Sequence, residues 1–175
     1  MKDVKYAIYA LPICLSFIIG ACVAASGGRP TPPPLAAMFV ANGHQCLKAP
    51  ATWHATWIAS PDQLKRFVSK CRANRLGFAS GNIPVIDFDR WQVLAVEMGQ
   101  RPAAGYGFDA DGITAQMKDQ IVTVRLSVHR PSPDALVAQM ITTPWILIGL
   151  QKGPYQTVHV LDQQARLLIQ IDNPG

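Results

Sequence analysis

From Phe88 onward, apolar residues fall at every second position or in unbroken runs, the spacing expected of strands. Trp91 to Met98 is almost continuously apolar, as for a central strand covered on both faces. Val122, Val124, Leu126 and Val128 alternate with Thr123, Arg125 and Ser127, as for a strand with one wet face. Further strands are predicted over Tyr106–Ala110, Thr114–Lys118, Val137–Ile141, Trp145–Gln151, Thr157–Leu161 and Leu167–Ile171, the last two joined by a turn at Asp162-Gln163-Gln164. Nearer the N-terminus, Trp53, Ala55, Trp57 and Ala59 alternate with His54, Thr56 and Ile58. This predicts a strand with both tryptophans on its buried face; the other reading of the pair is an aromatic patch that stacks on sugars or a peptide.

One segment has a helical period. Leu64, Phe67, Val68 and Cys71 repeat at three and four, behind a Ser60 N-cap, Pro61 in the first turn and Gln63 at the capping-box position. A helix over about 61–73 is predicted. No helical pattern separates the later strands, so the fold class is α+β: a mostly antiparallel β sandwich or open barrel with one amphipathic helix packed on it.

The N-terminus follows neither period. Lys2 and Lys5 precede an uncharged run from Tyr6 to Ile19, which is short for a spanning helix of roughly 20 residues and ends in Gly20-Ala21-Cys22. A cysteine behind two small residues is what lipoprotein maturation requires. The expectation is a signal peptide over residues 1–21 and a lipidated Cys22, held in the membrane by several acyl chains at about 0.8 kcal/mol per buried CH₂. An uncleaved anchor running through Ala25 and cleavage near Val23-Ala24-Ala25 to a soluble secreted protein are the alternatives. All three place the domain outside the cytoplasm. Val23 rather than an aspartate after the cysteine points, by resemblance to lipoproteins generally, to the outer membrane of a Gram-negative host, with the domain facing the periplasm. Residues 22–34 hold Gly27, Gly28, Pro30 and Pro32 to Pro34, a composition suited to an extended tether. Residues 35–175 form a single globular domain, long enough for one real core.

Charge adds little. Removing Lys2, Asp3 and Lys5 with residues 1–21 leaves 14 basic and 10 acidic residues, too mild and scattered a balance for nucleic acid. Lys65, Arg66, Lys70, Arg72 and Arg75 gather in and after the helix, either as its solvated face or as an attraction for anionic lipid or an acidic partner. The cysteines add more: with Cys14 in the signal peptide and Cys22 lipidated, Cys46 and Cys71 remain, and in an oxidising compartment they most simply form one disulfide. It would contribute on the order of 3 kcal/mol in the chain-entropy model. His44 beside Cys46 is the alternative, a metal or redox site, but no second His/Cys pair stands at ligand spacing and no metal site is expected.

Between two predicted strands lies Met98-Gly99-Gln100-Arg101-Pro102-Ala103-Ala104-Gly105-Tyr106, and further on Thr142-Thr143-Pro144-Trp145. The glycines permit positive φ, Pro102 fixes a dihedral, and Tyr106 buries its ring while offering a hydroxyl. The first stretch resembles the Gly-x-x-Pro-Thr-Gly-Gly-Tyr signature of the C-terminal domain of PrcB-type protease complex subunits. In that family a "DF...VLAV" strand precedes the signature and a Thr-x-Pro-aromatic strand start follows it. Asp87-Phe88, Val93 to Glu97 and Thr143-Pro144-Trp145 stand in that order here, so the resemblance covers about 87–150. Ala103 and Ala104 replace the family's Thr-Gly. The resemblance implies a protein partner, with Arg101, Pro102, Tyr106 and Trp145 as the binding loop; the other reading of the motif is a tight inter-strand loop that serves the fold alone. A looser similarity to chagasin-type cysteine-protease inhibitors, on an immunoglobulin-like sandwich, implies loops in the same places.

No catalytic residue is expected. His44, His54, His129 and His159 are dispersed, with His129 and His159 on the polar phase of strands, and Asp87 and Asp89 suit a turn better than paired carboxylates. No phosphate-cradling loop is present, and no cofactor is implied. The expectation is a lipid-anchored, non-catalytic envelope protein that binds a protein partner and stabilises or regulates a protease complex. A direct protease inhibitor and a structural envelope lipoprotein are the alternatives.

Overall fold

The computed structural model describes residues 33–72 and 85–175. Residues 1–32, with Cys22 and most of the tether, and residues 73–84, with Arg75 and the expected last residue of the helix, lie outside the described residues. In chain order the elements are β1 (Pro34–Leu35), β2 (Ala37–Gly43), β3 (His54–Ile58), α1 (Pro61–Arg72), β4 (Trp91–Glu97), β5 (Gly107–Phe108), β6 (Thr114–Lys118), β7 (Ile121–Arg125), β8 (Val128–His129), β9 (Trp145–Gln151), β10 (Thr157–Leu161) and β11 (Leu167–Asp172). They form a four-stranded sheet β2-β9-β4-β3, a five-stranded sheet β1-β6-β7-β10-β11, and the small pair β5-β8.

Pairing is antiparallel except between β7 and β10, which run parallel with Val122 beside Val158. The chain leaves β7, crosses into the other sheet as β9 and returns, so β10 comes back in the direction of β7. Parallel neighbours need such a crossover.

The two continuous apolar runs owe their composition to layering. On β4 and β9, Leu94, Val96, Ile146, Ile148 and Leu150 pack with Val122, Val124, Val158 and Val160 of the facing sheet. The opposite parity, Val93, Ala95, Trp145 and Leu147, packs with Leu64, Val68 and Cys71 of α1. Each fully buried aliphatic side chain contributes about 1.5–3 kcal/mol, and these two strands are covered on both faces. The helix starts at the expected cap: the Gln63 amide donates to Ser60 Oγ (3.3 Å), while Gln63 Oε1 accepts from the Ala59 amide (2.7 Å), one residue before the N-cap.

The structure also corrects several expectations. Val137–Ile141 forms no strand; it is a loop, framed by Pro131, Pro133 and Pro144, with Leu136, Met140 and Ile141 exposed. Tyr106–Ala110 shortens to Gly107–Phe108. β2 carries no alternation in its sequence because its register shifts between Phe39 and Ala41. Ile58, on the supposedly open face of β3, is 2 % exposed because the core beneath α1 extends over it. Trp53 and Trp57 are half-buried against the inter-sheet core. Pro34, at the end of the expected tether, is part of β1, paired with Gln116. Among the described residues no helix is long and apolar enough to cross a membrane.

Candidate functional site

Strand register defines two poles. Gly43 and Glu97 both face Trp145, and His54 faces Glu97, so the loops 44–53, 98–106 and 142–144 all leave one pole. The opposite pole gathers the start of the domain and the far turns: Gln151 N–H donates to Ala36 O, Met117 N–H to Pro33 O, Gln156 N–H to Gln120 O and Asn173 N–H to Gln156 O.

At the loop pole the motif is pinned in place. Arg101 and Thr142 exchange two backbone hydrogen bonds (2.8 and 2.9 Å), Thr142 Oγ1 donates to Ala103 O (3.0 Å), and the Ala104 amide donates to Ala138 O (2.9 Å). Arg101 donates through its guanidinium to Met98 O and lies 5.6 Å over the Trp53 ring, an arrangement that fixes a long cationic side chain. Gly99 has φ 79°, and a Cβ there would lie 2.6 Å from Thr52 O. Gly105 has φ 88°, the left-handed conformation expected of it. The loop therefore has one backbone geometry, which glycine makes accessible. Pro102 is exposed and Tyr106 half-buried, its ring packed on the inter-sheet core.

Trp145 does not join this surface. It is 5 % exposed, meets Phe67 of α1 edge-on at 5.6 Å and donates from Nε1 to Gln45 O (3.1 Å). Gly43 opposite makes room for it, since a Cβ there would stand 2.8 Å from the indole. Its place in the expected binding loop is corrected: strand parity aligns it with Leu147, towards the helix.

Cys46 and Cys71 are joined by a disulfide that ties the end of α1 to this pole. The Cys46 amide donates to Thr143 Oγ1 (2.6 Å), Thr143 Oγ1 approaches Cys46 O (3.3 Å), and Gln45 Nε2 donates to Ile141 O (3.1 Å). Helix, bridge and the 141–145 segment thus form one connected unit. Lys70 of α1 reaches the buried Glu97 at 3.2 Å.

Two acidic residues hold the neighbouring loops: Asp109, and Asp162 in the turn expected at 162–164. Asp109 accepts from Ser127 Oγ (2.6 Å) and contacts His129 Nε2; the Ser127 bond, against desolvation and with help from His129, keeps its carboxyl below the usual range. Asp162 is fully buried. Burial pushes its carboxyl up, but hydrogen bonds from the Arg166 backbone and guanidinium (2.8 Å from Nε) and from the Gln164 amide, with the Arg166 charge, hold it below the ordinary value. Neither has a motif; their partners converge only in the fold. Asp87 caps the turn before β4, accepting from the Asp89 amide (3.0 Å). Among the described residues no group of three His, Cys, Asp or Glu side chains is placed to hold a metal.

Ser127, Asp109 and His129 are not a hydrolase triad. Both the serine and the histidine bond to the carboxylate, whereas a nucleophile must bond to its base.

The class defined by this geometry is a helix-backed, mostly antiparallel β sandwich that displays pinned loops from one pole. Residues 92–151 match the model of the family described as PrcB C-terminal, and the resemblance read from the sequence holds over that stretch. The matched stretch begins in β4, contains the pinned loop and ends with β9. No curated protein and no solved structure matches the chain.

Proposed function

We propose that this protein is a lipid-anchored, non-catalytic envelope domain that binds a protein partner through its loop pole and serves as a subunit or regulator of a protease complex. The observation that carries this reading is the fixing of the Arg101 loop to Thr142 within the PrcB-like stretch, on the pole opposite to where the chain comes in at Pro33. The family description supports a protease-related partner. The buried Trp145 leaves Arg101, Pro102 and Tyr106 as the loop residues that carry the contact.

Affinity capture from solubilised envelope, comparing the native chain with Arg101→Ala, tests the reading. A reproducible protease partner, weakened by about tenfold in the variant, is expected; no partner for the native chain leaves a structural lipoprotein. For the anchor, Cys22→Ala is expected to abolish fatty-acid labelling and to accumulate precursor. Labelling that survives the substitution sinks the lipoprotein claim.

A further inference from the structure

The exposed apolar side chains are not scattered evenly. Leu136 (104 % exposed), Met140 and Ile141 lie in one loop, and Leu47 joins them because Gln45 and Cys46 are hydrogen-bonded to Ile141 and Thr143. The loop is backed by the pinned motif: Ala104 and Arg101 bond to Ala138 and Thr142, and the Gly105 position lies against Pro131 and Val137. A well-supported loop that holds apolar groups in water marks an interaction site.

Its rim is cationic. Lys48 follows Leu47 and is exposed; Arg101 flanks Thr142, half-exposed, with its guanidinium held by Met98 O and the Trp53 ring; neither forms an ion pair among the described residues. The nearby Glu97 and Asp109 are engaged by Lys70 and His129, leaving Asp134 as the one carboxylate between Arg130 and Thr142. The patch lies on the pole opposite to Pro33.

We infer that Leu47, Leu136, Met140 and Ile141 form the anchor site for a protein whose contacting segment carries apolar side chains flanked by Asp and Glu. This deepens the partner-binding reading above and rests on it. Apolar anchors supply affinity, and the cationic rim sets orientation and on-rate.

The test places a photo-crosslinking residue at position 136 of the full chain in its own cells. A single heteromeric adduct is expected, with the crosslinked peptide rich in Asp and Glu around apolar residues. Ile141→Asp and, as a second variant, Met140→Asp should each reduce the adduct at least about tenfold at unchanged melting temperature, since both side chains are exposed. Lys48→Glu should lower it and weaken its salt dependence, while Leu167→Asp, on the exposed β11, should leave it intact. The inference is overturned by an adduct of twice the chain mass, by a lipid adduct together with native-chain binding to phosphatidylglycerol vesicles, by a basic crosslinked peptide, or by no adduct. If the adduct is absent while the native chain still captures a protease and Arg101→Ala weakens that capture, only this inference fails. If capture fails too, both fail.

Discussion

At Gly99, backbone angle and available space both exclude a side chain. Gly112 has the same positive φ, but nothing stands within 4 Å of its Cβ position, whereas at Gly99 the Thr52 and Ala51 carbonyls lie 2.6 and 2.7 Å away. Gly112→Ala should therefore cost only the left-handed penalty of about 1 kcal/mol, while Gly99→Ala should cost at least about 2 kcal/mol more by moving the 51–52 backbone. Urea denaturation of the two variants checks this, and equal costs would refute the packing argument. The special role of Gly99 and Gly105 was legible because the motif places glycines around Pro102 between two strands. The burial of Trp145 was not. Thr-Pro-Trp marks a strand start without saying which face comes first, and only pairing with Glu97 and packing on Phe67 decide it.

Among the elements, α1 was the most legible, because Ser60, Pro61 and Gln63 start it and the three–four repeat continues it. β2 and the Val137–Ile141 loop were the least. β2 is an edge strand whose bulge breaks the alternation, and the loop has a strand's composition but forms no ladder. The disulfide joins legible to illegible, since it fixes α1 to the segment bearing Thr143. Replacing Cys46 and Cys71 by Ser should lower stability by about 2–4 kcal/mol, given a separation of 25 residues. It should also speed amide exchange at Cys46 and Thr143 more than in β7 or β10. Uniform exchange changes would show that the bridge acts on the unfolded chain alone. Non-reducing mass analysis of native protein should find the Cys46–Cys71 peptide pair.

For the whole molecule, the sandwich with one packed helix was readable from the change of period, but the parallel β7–β10 pair was not, because it depends on β9 crossing between them. Stability against pH is also a property of the whole. Asp109 and Asp162 have lowered folded-state values, so the stability they contribute is complete above the unfolded carboxylate range near pH 4 and is lost as pH falls from there through the lower folded-state values. Burial pushes the Tyr155 phenol from 10.0 up to about 12, so its contribution is complete below pH 10 and is lost as pH rises towards 12. The urea midpoint should hold a plateau between these limbs. Asp162→Asn should flatten the acid limb while lowering the plateau by about 1–3 kcal/mol, because buried donors lose a charged acceptor; an acid limb of unchanged slope would place the titration elsewhere.

The chain comes into the domain at Pro33 and leaves β11 beyond Asp172 on the same pole, where Asn173 bonds to Gln156. An affinity handle or fluorescent protein fused after Gly175 therefore starts from that pole and leaves the opposite loops unobstructed. Spacer length beyond Gly175 then sets how far a fused group reaches, without altering a residue of the opposite loops.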